Sequence, residues 1–185
     1  MKRALKIEEL MTLDVCCCHP GDTLERAAEL MWQRDCGCVP VVDDGSHVVG
    51  MITDRDVCMA AYTRGVPLSQ ALVRDAMSRE VYTCSGEQPV GVAEKLMQTR
   101  QVRRVVVIEP DGKLVGLLSM ADIARETRIT PDDLKPLSPA SFVVAMAAIT
   151  RPRGALDDAG TDGRMGIDSK AWPASCSAQR SSRSW

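Results

Sequence analysis

Two stretches of this 185-residue chain carry residue types suited to holding a phosphate and a ribose. They are Gly50-Met51-Ile52-Thr53-Asp54-Arg55-Asp56 and Gly116-Leu117-Leu118-Ser119-Met120-Ala121-Asp122. Each reads as a glycine, two apolar residues, a hydroxyl residue, two variable residues and an aspartate. The pattern describes a strand that ends at a helix N-terminus. Backbone N–H groups and the positive end of the helix dipole meet there and suit an anion. The hydroxyl can bond the backbone or a phosphate oxygen, and the carboxylate one turn later can accept both hydroxyls of a ribose. The plainer alternative is a helix cap, because Thr or Ser with an acid three residues on is an ordinary start signal. Two occurrences in one register favour a ligand site.

Cysteine is the second chemistry-bearing type. Cys16-Cys17-Cys18-His19 and Cys36-Gly37-Cys38 could converge, and thiolates with an imidazole are good zinc ligands. The spacing is not that of a zinc ribbon. Alternation along a strand also sends Cys16 and Cys18 to one face and Cys17 to the other. Cysteine is often a small buried apolar residue, and packing is the reading adopted. A zinc- or redox-responsive module using Cys16, Cys18, His19, Cys36 and Cys38 is the alternative. Cys58 and Cys84 read as packing, and Cys176 belongs to the tail. No catalytic set is visible. His19 and His47 are the only histidines, and neither a phosphate loop nor a nucleophile elbow occurs. A non-enzymatic protein is expected.

The elements that must position these residues come in duplicate. Residues 11–58 align with 77–124 without a gap, at a constant offset of 66. Met11 falls on Met77, Ala27 on Ala93, Met31 on Met97, Val41 on Val107, Gly50 on Gly116 and Asp56 on Asp122. Two copies are too few for a solenoid, so a face-to-face pair is expected. In each copy a short strand is predicted first, Val15 to Cys18 and Val81 to Cys84. A helix follows, started by Asp22 or Thr23 in one copy and near Pro89 in the other. Two β-rich runs come next, joined by turns at Asp43-Asp44-Gly45 and Pro110-Asp111-Gly112. Thr53 and Ser119 then cap a last helix. Met31 and Met97 read as core. Between the copies, Leu68 to Leu72 could add one helical turn. Thr130-Pro131-Asp132-Asp133 is a possible helix start, and Pro139 to Thr150 is expected to form a final helix. Beyond Arg151 no periodicity remains, and residues 151–185 are expected to be disordered.

The repeat, its order of elements and its motifs resemble the CBS domain family, named for cystathionine β-synthase. Gly50 to Val57 and Gln101-Val102-Arg103-Arg104-Val105 carry the likeness most clearly, which covers about residues 7–128. The resemblance implies an α+β fold of two tandem β-α-β-β-α units packed through their sheets. They would span 7–66 and 67–130, with a helical extension over 131–150. It implies clefts that bind AMP, ADP, ATP, NAD-type dinucleotides or S-adenosylmethionine. By position, Asp56 with Thr53 and Asp122 with Ser119 would hold ribose and lie near phosphate. The adenine slots would use Cys16, Cys17 and Cys18 with Gly37, Cys38, Val39 and Pro40. In the second copy they would use Tyr82, Thr83 and Cys84 with Arg103, Arg104 and Val105. Arg55, Arg103 and Arg104 are candidate phosphate partners. The second copy departs from the family pattern at Val106, where the first has Pro40. A homodimer built from helices of both repeats, and a protein partner that reads the ligand state, are implied as well. A ligand-free dimerisation module is a further alternative.

Composition narrows the rest. One Phe, two Tyr and three Trp leave an aliphatic core. A net charge of −2 without a basic stripe argues against nucleic acid. No apolar run reaches the ~18 residues of a membrane span. The N-terminus does not read as a secretory signal, and unpaired cysteines fit a reducing cytosol.

Overall fold

A computed structural model describes residues 4–127 and 139–150. The expectations for 130–133 and for the tail lie outside the described residues. Thr23 opens the first helix, α1 (Leu24–Gln33), its hydroxyl accepting from Arg26 N–H at 3.2 Å. Leu24, Ala27 and Met31 recur on one side and are buried. Strands β1 (Cys38–Val42) and β2 (Val48–Thr53) form an antiparallel hairpin that places Cys38 opposite Thr53. Helix α2 (Asp54–Arg64) follows and stops at Gly65, whose φ of +63° glycine adopts without strain.

The second copy repeats the plan. It consists of β3 (Thr83–Cys84), α3 (Val90–Arg100), β4 (Arg104–Ile108), β5 (Leu114–Ser119) and α4 (Met120–Thr127). Arg104 stands opposite Ser119, and both hairpins bulge at equivalent places, Val41/Val42 and Val107/Ile108. Helix α5 (Pro139–Ile149) forms where the final helix is predicted. No helix among the described residues is long and apolar enough to cross a membrane.

The leading strands are shorter than their composition suggests. Thr83–Cys84 runs parallel to β4, and in the first copy only Cys18 bridges to Val41. Pro20 and Gly21 turn the chain away directly afterwards. Leu68 to Leu72 makes a turn closed by Gln70 N–H on Pro67 C=O rather than a helical turn, and a 3₁₀ turn follows at Val73–Asp75.

Each copy lends its leading segment to the other. Ile7, 66 positions before Val73, is fully buried with Val90, Met97, Val105 and Ile123 of the second copy. Val73 and Ala71, from the connection, are buried with Leu24, Val39 and Ile52 of the first. Ile7 N–H donates to Gln88 C=O, and Val73 N–H to Asp22 C=O, at matching positions. Met77-Ser78 crosses β2 at Gly50 in the same way, and Met11-Thr12 crosses β5 at Gly116. A Cβ on Gly50 would sit 2.7 Å from Met77 Sδ, and one on Gly116 2.7 Å from Met11 Sδ. The repeated glycines are therefore required by this close backbone crossing, whatever the cleft holds.

The central strands are buried on both faces. Val39 and Val41 face the first core, and Val105 and Val107 the second. The opposite faces carry Cys38 and Pro40 against Arg104 and Val106. At the hairpin tips Val48 N–H donates to Gly112 C=O and Leu114 N–H to Ser46 C=O, again equivalent pairs. The two units thus meet through their sheets about a pseudo-twofold axis.

Candidate functional site

The two motif aspartates sit where strand gives way to helix. In the first unit Thr53 N–H and Thr53 Oγ1 both donate to Asp56 Oδ2, at 2.9 and 2.7 Å. Asp56 N–H returns a bond to Thr53 Oγ1 at 3.2 Å. In the second unit Ser119 N–H and Oγ donate to Asp122 Oδ2 at 2.8 and 2.6 Å, and Asp122 N–H reaches Ser119 Oγ at 3.3 Å. Both are complete capping boxes. The cap and the ligand reading are compatible, because a cap of this kind engages one carboxylate oxygen and leaves the second.

That second oxygen separates the units. Asp56 Oδ1 makes no hydrogen bond or ion pair among the described residues. Asp122 Oδ1 is held by the Arg125 guanidinium, one turn along α4. The position equivalent to Arg125 in the first unit is Met59, which has no charge.

The helix N-termini differ too. Asp54 N–H is taken by Gly37 C=O at 3.2 Å, and the Asp54 carboxylate accepts from Arg55 N–H at 2.7 Å. Its equivalent on α4 is Met120, with no carboxylate to offer. An anion at α2 must therefore compete with Asp54, while α4 carries no such rival.

One basic residue crosses between the units. Arg104, at the head of β4, reaches the loop before β1, where its Nη2 would lie 3.6 Å from a Cβ on Gly37 and Asp54 Oδ2 3.3 Å from the same point. Its charge also acts on the Cys38 sulfur. Burial pushes the Cys38 thiol up, and the Arg104 charge pulls it part of the way back. The structure thus brings together Gly37, Cys38, Asp54 and Arg104. Asp54 escaped the sequence reading, where it counted as a variable position. Its signal was present, since it is an acid at the first helical residue. Arg125 was missed as well, though it lies three residues after Asp122, the spacing of a helical pair.

The other expected residues are spread more widely. Cys18 and Cys38 are 1% and 4% exposed, Pro40 is buried, and Val39 and Val105 lie wholly inside the two cores. Their side chains pack, so only their backbone can border a cleft. Cys17, Arg55, Thr83 and Arg103 are exposed. Arg103 contributes its carbonyl, which accepts from Met120 N–H at 2.9 Å.

Cys16 and Cys36 meet side by side. Burial first, and Cys36 second, push the Cys16 thiol up to about 11. Burial pushes Cys18 up to about 12. Without a metal such thiols stay protonated at neutral pH, and a metal ion would have to displace those protons to bind. His19 is turned towards Asp44, 3.9 Å away. Among the described residues no group of three His, Cys, Asp or Glu is placed to hold a metal ion.

Comparison with known proteins agrees with this architecture. The sequence profile of the CBS domain matches residues 7–62 and 73–128. The uncharacterized protein MK0525 of Methanopyrus kandleri is 31% identical over 121 residues, 65% of this chain and 62% of that protein, so the match leaves over a third of its length uncovered. The crystal structure of Hypoxic Response Protein I with two coordinated zinc ions is 30% identical with a TM-score of 0.59. The match covers 65% of this chain and 98% of that one. The CBS domain pair of protein MJ0100, in complex with 5′-methylthioadenosine and S-adenosyl-L-methionine, has a TM-score of 0.61 at 21% identity. It covers 67% of this chain and 96% of that one.

Proposed function

Because this chain belongs to the CBS domain family, with two such domains in tandem, we propose that it is a regulatory module binding an adenosine-containing ligand of the AMP, ADP, ATP or NAD type. The first cleft is the better prepared of the two. The observation that carries this reading is Asp56. Its Oδ2 is fixed by the cap while Oδ1 remains available to accept from ribose hydroxyls. The capping bonds hold the carboxylate in one orientation, so binding costs it little rotamer entropy. Arg104 and the exposed Arg55 supply positive charge for phosphate near the Asp54 carboxylate. The adenosine ligands of the MJ0100 pair support the ligand class. Arg104 comes from the second unit and Gly37 from the first. A ligand touching both would favour one relative arrangement of the units, and a partner could read that shift.

Isothermal titration with AMP, ATP, NAD and S-adenosylmethionine tests this. At least one should bind with a Kd below about 1 mM. Asp56→Ala should weaken it by about 10-fold or more, the scale of a hydrogen bond to a charged group. Asp122→Ala should weaken it less. No heat from any of the four would reject the reading.

A further inference from the structure

The Cys16 and Cys36 side chains are in hydrogen-bonding contact. Backbone and side-chain ties hold the segments that carry them side by side. Two residues before each cysteine, Arg34 Nη1 donates to Asp14 Oδ2 at 2.9 Å. Two residues after Cys16, Cys18 N–H donates to Pro40 C=O at 3.1 Å, and Cys18 C=O accepts from Val42 N–H at 2.9 Å. Both cysteines pack against the first core yet stay partly exposed, and Cys36 lines an open groove between α1 and α2. Cys18 and Cys38, by contrast, are buried, and Cys17 and Cys58 are exposed. In the second unit the equivalent positions hold Tyr82 and Val102, which pack on the second core. The Arg100 guanidinium stands over the Tyr82 ring there, 5.3 Å from its centre. A ring and a valine thus fill the same place, so packing does not require two thiols in the first unit.

We propose that Cys16 and Cys36 form a reversible disulfide by exchange with a low-molecular-weight disulfide, and that this bond restrains the loop leading into β1. Cys36 meets the reagent first, because it lines the groove. Its thiolate attacks one reagent sulfur, the reagent S–S bond breaks, and one small thiolate leaves. The Cys16 thiol then gives its proton to solvent, attacks the Cys36 sulfur of the mixed disulfide and expels the second small thiolate. Two protein thiols are oxidised and one reagent disulfide is reduced to two thiols. Burial disfavours the Cys16 thiolate, but contact with Cys36 makes the closing step intramolecular, which offsets that cost. Cys36 is followed by Gly37, whose carbonyl accepts from Asp54 N–H at the start of α2, at 3.2 Å. The equivalent bond in the second unit runs from Met120 N–H to Arg103 C=O at 2.9 Å. A cross-link suppresses opening of the segment it closes. The disulfide therefore holds the Gly37 loop against α2, and the second unit, with Tyr82 and Val102, has no counterpart.

The test uses the full chain without added nucleotide, so that its outcome is separate from that of the ligand titration. The folded protein is incubated with oxidised glutathione, alkylated and mapped by mass spectrometry. A species joining the tryptic peptides 7–26 and 35–55 should appear, within one chain on non-reducing electrophoresis, and vanish with dithiothreitol. Cys17→Ser and Cys38→Ser should keep the link. Cys16→Ser and Cys36→Ser should abolish it, and Cys16→Ser should stall at a glutathione adduct on Cys36. Serine nearly conserves volume and both sites are partly exposed, so circular dichroism should not change. In the linked wild type, hydrogen exchange at the Asp54 amide should slow while Met120 keeps its rate. The absence of a linked species overturns the proposal. So does a link that survives Cys16→Ser or Cys36→Ser, or exchange at Asp54 that does not slow.

Discussion

The two units share a backbone plan and differ in chemistry. Positions that pack are kept: Ala27 and Ala93, Met31 and Met97, Val39 and Val105, Gly50 and Gly116. Positions at the cleft and on the outer face have diverged. Asp54 stands where the second unit has Met120, and Met59 where it has Arg125. A core position must keep volume and polarity, because each buried side chain is touched on all sides. A cleft position is bounded on fewer sides and can change without cost to the fold. A duplicated scaffold keeps two clefts in outline while the chemistry of their linings separates.

The largest expected effect tests the crosswise packing on which the comparison rests. Ile7→Ala should cost about 2–5 kcal/mol, the usual range for such a truncation in a core. The damage should fall on the second unit, since Ile7 packs with Val90 and Met97. Val73→Ala should loosen the first unit instead. Native-state hydrogen exchange distinguishes the two. If Ile7→Ala lowers protection mainly in α1 and β1, the exchange of leading segments is wrong.

A smaller effect concerns the occupied carboxylate. Arg125→Ala should free Asp122 Oδ1 and strengthen adenosine-ligand binding at the second cleft. The gain should be at most about 5-fold, because Arg125 is 69% exposed and its ion pair is screened. The Met59→Ala variant, at the equivalent position, should leave the first cleft unchanged. A fall in affinity with Arg125→Ala would mean that Arg125 serves the ligand instead of competing with it.

The smallest effect is alkaline sensitivity, which should fall more on the first unit. Burial raises Cys16, Cys17, Cys18 and Cys38 there, against Cys84 alone among the described cysteines of the second. A thiol whose folded pKa lies above its unfolded value near 9 binds its proton more tightly in the folded state. Its contribution is whole below pH 9 and is lost as pH climbs towards about 12 for Cys18. Urea midpoints at pH 8 and pH 10 should therefore drop for the wild type. Cys18→Ala should flatten that drop more than Cys84→Ala does. Equal flattening would remove this difference between the units.

Much of the fold was legible in the chain. The offset of 66, the helix starts at Thr23, Thr53 and Ser119, the breaks at Gly65 and Pro89, and the helix at Pro139–Ile149 depend on neighbours within a turn or a strand. Local propensity and capping decide them, and the amino-acid order states such neighbours directly. The short leading strands were overdrawn, because apolar composition does not say how many residues find a ladder partner.

The tertiary structure decided the rest. Only the path of the chain through space shows that Ile7 completes the second core and Val73 the first, since the repeat is equally consistent with each segment serving its own copy. The same path sets Arg104 beside Cys38 and lays α5 across α3 and α4, while among the described residues nothing covers α1 and α2. Thus the order of residues determined two matching units with a capped aspartate in each. The Met59-for-Arg125 exchange that occupies one aspartate's second oxygen is local too, three residues along one helix, whereas only long-range contact brings Arg104 of the second unit to Gly37 and Asp54 of the first, because no spacing in the order of residues joins those segments.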